Sequence, residues 1–152
     1  MKEEGKFRGG LRSMARLCAV QRVYRADVTG CAIEAIAVES NDDLGEIFVT
    51  ESLSISEMDK DFFLRLIKAV RDNLLKIDEI ISKNLSNSWK LDRLDSVTKS
   101  ILRLGIAELL YFKDIPSNVV FNEYIEISKS FFAKGEVAFV NGLLNSVDKF
   151  HS

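Results

Sequence analysis

The sequence predicts an all-α domain, a compact bundle of about seven helices. Three observations carry this expectation. The 152-residue chain holds one Pro and eight Gly, few chain breakers for its length. Apolar residues make up 47% of it and recur at steps of three and four along most of its length. No clustered β-branched run marks a confident strand. A chain of this size fits one domain, with core enough to fold without disulfide or metal.

The elements follow in order. Residues 1–10 combine three Gly with three basic residues and two Glu, and read as a flexible basic arm before a single domain over 11–150. From Leu11 to about Val28 the pattern is helical, with Met14, Leu17, Cys18, Gln21, Tyr24 and Val28 on one face. Arg12 and Arg16 are four apart and fall on the opposite face, and Arg8 extends the same stripe if the helix reaches back. Thr29-Gly30 ends this helix, and a short second helix is expected over 31–39. Residues 40–54 are acidic and irregular, with Asn41-Asp42-Asp43 as a turn signal.

Ser56 is expected to cap the next helix, with Glu57, Asp59 and Asp61 at its positive end. Its core face is Phe62, Phe63, Leu66, Ile67 and Val70, and the pattern continues to Ile81 with a break near Asp72-Asn73. A loop over 84–90 carries the single Trp, and a short turn at 91–95 precedes a helix from Ser96 to about Phe112. Ser117 is expected to cap a helix running to about Phe132. Ala133-Lys134-Gly135 breaks the chain before a last helix over about 136–149. Gly142 within that helix predicts a close helix–helix approach, since Gly there otherwise costs about 1 kcal/mol relative to Ala.

Charge is distributed unevenly. Residues 1–25 hold seven Lys or Arg against two Glu, whereas residues 26–62 hold ten Asp or Glu against one Lys. The whole chain is at −2. A positive segment on an otherwise neutral or acidic domain fits a local anionic ligand such as a short RNA. Arginine suits it, because its rigid fork matches phosphate and its plane stacks on unpaired bases. Phe7, Tyr24 and Phe139 are the candidate aromatics: by position alone Tyr24 reads as core rather than ligand-facing, with its hydroxyl at an edge, whereas Phe139 lies off the main apolar stripe of the last helix. The competing reading of the stripe is an ordinary solvated helix face.

Catalysis finds little material here. The single His is His151, at the chain end, and neither a glycine-rich phosphate loop nor a zinc-ligand spacing is present. No cofactor or metal is expected. Carboxylates recur in helix pairs such as Glu126 with Lys129 and Asp95 with Lys99, which read as solvated ion pairs. Cys18 and Cys31 read as reduced core or near-core thiols of a cytoplasmic protein. No apolar run approaches the ~20 residues needed to span a bilayer.

Four stretches resemble the NusB family of transcription antitermination proteins. They are residues 16–24 (RLCAVQRVY), 97–109 (VTKSILRLGIAEL), 116–131 (PSNVVFNEYIEISKSF) and 139–144 (FVNGLL). They come in the family's order and spacing, and the resemblance covers about residues 11–149. The resemblance implies two packed helical subdomains and no catalysis. It implies pairing with the small-ribosomal-subunit protein NusE and binding of boxA-type single-stranded RNA in ribosomal RNA leader transcripts. It also implies a complex with other Nus factors and RNA polymerase that suppresses premature termination.

Carried over by position, the family's arginine-rich start matches Arg12 and Arg16, with Arg8 and Lys6 as looser members. Tyr24 and Phe139 match its aromatics at the RNA or partner surface. Asp92 matches an acidic residue near the partner face, Thr98 stands where that face carries an acid, and Arg103 matches a family arginine. Ser13 and Met14 interrupt the arginine cluster, so a protein-interaction module of the same fold with weak or lost RNA binding stays as the alternative. A third reading, the RNA-recognition half of a methyltransferase, needs an α/β domain for which this chain has no strand–Gly-loop–helix pattern. Monomer and homodimer are both open.

Overall fold

Helix α1 (Leu11–Thr29) is buried around most of its circumference, because it lies between two layers of the bundle. The computed structural model describes residues 10–33, 58–86 and 90–151. Lys6, Phe7 and Arg8, most of the helix expected over 31–39, the acidic run 40–54, Ser56 and Trp89 lie outside the described residues. Six α-helices and one short 3₁₀ turn are described, one helix fewer than the seven expected.

Gly10 opens α1 without a side-chain cap, so packing rather than capping fixes this end. Gly30 closes it in the left-handed region at φ 78°, where a side chain would be strained. Helix α2 (Lys60–Asp72) is capped by Asp59, whose carboxylate accepts from the Phe62 N–H at 2.9 Å. The helix therefore starts later than a cap at Ser56 would place it. Phe62, Phe63, Leu66, Ile67 and Val70 are all buried, as their spacing predicts. The break expected near Asp72-Asn73 falls at Asn73. Its backbone N–H turns back to the Val70 carbonyl and its side-chain amide donates to the Ala69 carbonyl at 2.8 Å. Helix α3 (Leu74–Lys83) then points Ile77, Ile80 and Ile81 inward.

A 3₁₀ turn (Leu91–Arg93) leads into helix α4 (Ser96–Tyr111), which touches all five other helices. Ile101, Leu102, Leu104, Ile106 and Ala107 are fully buried along it. Each large apolar side chain buried this way contributes about 1.5–3 kcal/mol. Helix α5 (Ser117–Phe131) and helix α6 (Lys134–His151) pack on each other and on α4. One continuous core runs from Met14 through α4 to Val147.

Three local expectations change. Ser117 is the first helical residue, not the cap, and its hydroxyl donates to Asp148 at 2.7 Å, tying α5 to α6. Lys134 and Gly135 belong to the first turn of α6. Gly142 meets nothing within 4 Å of an added Cβ; the close approach is at Gly105 of α4, where a Cβ would stand 3.0 Å from Leu144 Cδ2.

Candidate nucleic-acid interface

The first turns of α1 carry the arginines, and the structure separates them. Arg12 is on the surface, with its side chain about half exposed at 48%. Arg16 is 3% exposed and turned into the bundle, contrary to its expected place on a solvated stripe. Helix α1 packs on both α4 and α5, so this face is interior too. The Arg16 guanidinium makes two bonds to Glu108 of α4, Nε to Oε1 at 2.6 Å and a terminal nitrogen to Oε2 at 3.0 Å. Another terminal nitrogen lies 3.2 Å from Glu123 of α5.

The same network holds Tyr124, whose buried hydroxyl donates to Glu108 Oε1 at 2.7 Å, and Ser13, whose hydroxyl donates to Glu123 at 2.5 Å. Burial works against the charge on Arg16, but the bonds and charge of Glu108 outweigh it and hold the guanidinium above its ordinary pKa. Burial, then the Glu108 charge, pushes Tyr124 well up and keeps it protonated. The pair is thus complete within the fold and leaves Arg16 no free edge for a ligand.

Arg103 of α4, which the resemblance assigns to the partner face, is a second buried arginine. It forks onto Asp78 of α3, with bonds of 2.9 and 3.0 Å, and is 6% exposed. Asp27 of α1 joins this cluster, accepting from Ser96 at 2.5 Å and pairing with Lys99 at 3.3 Å. Burial opposes its charge, but Ser96, Lys99 and Arg103 together lower its pKa below the ordinary value. Lys99 therefore pairs with Asp27 rather than with Asp95. Asp95 is the cap of α4, accepting from the Thr98 N–H and hydroxyl, both at 2.9 Å. The Glu126–Lys129 pair is on the surface as expected, at 3.1 Å.

The aromatics stay at the surface. Tyr24 and Phe139 are each 38% exposed. Two grooves flank the first turn of α4. One, about 440 Å³, is lined by Val20, Gln21, Tyr24, Arg25, Val97 and Phe131. The other, about 460 Å³, is lined by Arg93, Leu94, Asp95, Thr98, Glu136 and Phe139, with Gly135 beside them. Thr98 is mostly buried yet forms part of this wall, and Asp92 is exposed on the adjoining 3₁₀ turn. Half-exposed aromatic walls with arginines at the rim can stack unpaired bases and hold their phosphates. Phe131 is a groove residue whose spacing presents it as an ordinary apolar position of its helix. Cys18 is buried, and burial pushes its thiol up to about 11, whereas Cys31 is exposed rather than near the core.

The profile of the NusB family matches residues 13–149. The chain belongs to the NusB family. Its relatives include the transcription antitermination protein NusB of Caulobacter vibrioides, 40% identical over 90% of this chain and 91% of the relative. That of Bartonella quintana is 36% identical over 91% of this chain and 88% of the relative. Among solved structures, Thermotoga maritima NusB superposes with a TM-score of 0.74 at 33% identity, covering 92% of each chain. A structure of the antitermination factors NusB and NusE in complex with dsRNA superposes with a TM-score of 0.69 at 27% identity, covering 91% of this chain and 96% of that one. NusB proteins are antitermination factors and not enzymes, in line with the sequence reading. No described helix is long and apolar enough to cross a membrane.

Proposed function

We propose that this NusB-family chain is an antitermination factor that pairs with NusE to bind boxA-type single-stranded RNA in ribosomal RNA leader transcripts. In that role it works in the cytoplasm, joining other Nus factors and RNA polymerase to suppress premature termination. The observation that carries the reading is the pair of half-exposed aromatics, Tyr24 and Phe139, standing in grooves on either side of the first turn of α4. Large aromatics left in grooves rather than in the core suit bases that stack. Arg12 supplies a phosphate contact at the start of α1, with Lys6 and Arg8 preceding it in the chain. Asp92 and the Thr98 wall serve the NusE side of the second groove.

Arg16 and Arg103 enter this reading as supports of the fold beneath the surface, because their guanidinium groups are committed to carboxylates. The burial of Arg16 also favours the second reading, a protein-interaction module with weak or lost RNA binding, since it removes one charge from the expected basic stripe. Fluorescence-anisotropy titration of a labelled boxA RNA with Tyr24→Ala and Phe139→Ala separates the two. If each ring stacks on a base, each substitution weakens binding by about 1–3 kcal/mol, roughly fivefold to over a hundredfold. Two variants that bind the RNA as tightly as the parent would reject the stacking sites. A duplex of the same sequence is the comparison for strand state.

A further inference from the structure

Arg65 of α2 belongs to none of the resemblance motifs, yet it stands beside Arg12. The Asp59 N–H, at the cap of α2, donates to the Leu11 carbonyl at 3.1 Å and fastens the start of α2 to the start of α1. Both helices converge there on one ring. The Arg12 guanidinium carbon sits 4.5 Å from the centre of Phe62, and that of Arg65 sits 5.8 Å from it. Arg65 also lies over Phe112, at 4.7 Å. The two rings are nearly perpendicular, with centres 5.6 Å apart, and both are buried. The two guanidinium groups are thus held against a rigid aromatic floor, with their carbons within about 10 Å of each other.

A stacked guanidinium keeps its N–H donors at its edge, in the plane of the fork, where a phosphate oxygen can reach them. Those donors are largely unspent. Asp59 lies 3.7 Å from Arg12 Nε, an ion pair too long for a hydrogen bond. Among the described residues no carboxylate is within ion-pair distance of Arg65, including Asp61 one turn before it. Arg16, the third arginine over Phe62 at 5.0 Å, is neutralised by Glu108 and Glu123 and adds no net demand for a counter-ion.

We infer that Arg65 and Arg12 form a phosphate clamp, floored by Phe62 and Phe112, that grips the RNA backbone beside the start of α1. The inference rests on the RNA-binding reading and extends the ligand's path from α1 onto α2. Arg65 is then a direct backbone contact with no role in reading bases.

Each phosphate contact on a single strand adds about 0.7 to the slope of log affinity against log salt. Anisotropy titrations of the boxA RNA with NusE present, repeated from low to high salt, read that slope. Arg65→Gln should lower it by about 0.7 and Arg12→Gln/Arg65→Gln by about 1.4, while Arg65→Lys should keep it. A folded Arg65→Gln protein with an unchanged slope overturns the clamp and leaves the arginines as lids on the aromatic core. If Arg65→Gln does not fold, the wild-type protein still decides: the Arg65 Nε–Hε resonance should shift when RNA is added, and a resonance that stays overturns the clamp. A parent protein that binds no RNA at any salt fails one step earlier and takes the RNA-binding reading with it.

Discussion

Arg16 shows how a single long-range partner changes the meaning of a residue. Its helical spacing with Arg12 points to a common face, but Glu108, 92 residues away, takes it inside. No local pattern announces such a partner, so the spacing could not separate a ligand-facing arginine from a buried one. A buried charge stripped of its partner is expensive, and here the loss would also disturb Tyr124 and Glu123. Arg16→Ala should therefore destabilise the fold by about 3–5 kcal/mol in urea unfolding, with little change in the salt slope of RNA binding among molecules that remain folded. A near-neutral effect on unfolding would show that the network is not what holds α1. Arg65 is hidden in the sequence by a distant partner as well. Its spacing from Phe62 is visible along α2, but Phe112, the ring that completes its seat, comes from the far end of α4.

At the scale of the elements, most of the fold was legible. The left-handed Gly30, the break at Asn73 and the apolar faces of α2, α3 and α6 follow local rules of capping and periodicity. What local rules missed were choices between equivalent partners. Asp95 and Lys99 have ideal helix-pair spacing, yet Asp95 caps α4 and Lys99 crosses to Asp27. Gly105 and Gly142 are both glycines inside helices, and only packing tells them apart. Gly142→Ala fills open space and should stabilise the protein by about 0.5–1 kcal/mol through helix propensity. Gly105→Ala drives a methyl onto Leu144 and should destabilise it by up to about 2 kcal/mol, the overpacking cost less the propensity gain. Thermal unfolding of both variants checks the assignment, which reversed signs would refute.

At the scale of the molecule, the charge mismatch takes a more definite shape. The basic excess of residues 1–25 is not one uniform surface: Arg16 is neutralised inside, while Arg12 stays outside and shares the Phe62 ring with Arg65 of α2. The aromatics Tyr24 and Phe139 lie on different helices, α1 and α6, at grooves that flank the start of α4. A surface so divided offers a strand several modest contacts, which suits a binder completed by a partner protein. Anisotropy titration of boxA RNA with the unmodified protein, alone and with NusE, at several salt concentrations tests this most directly. Binding that weakens steadily with salt and tightens when NusE is added is the expected result. Equal or absent binding in both arms would contradict it and leave a protein-interaction module of the same fold.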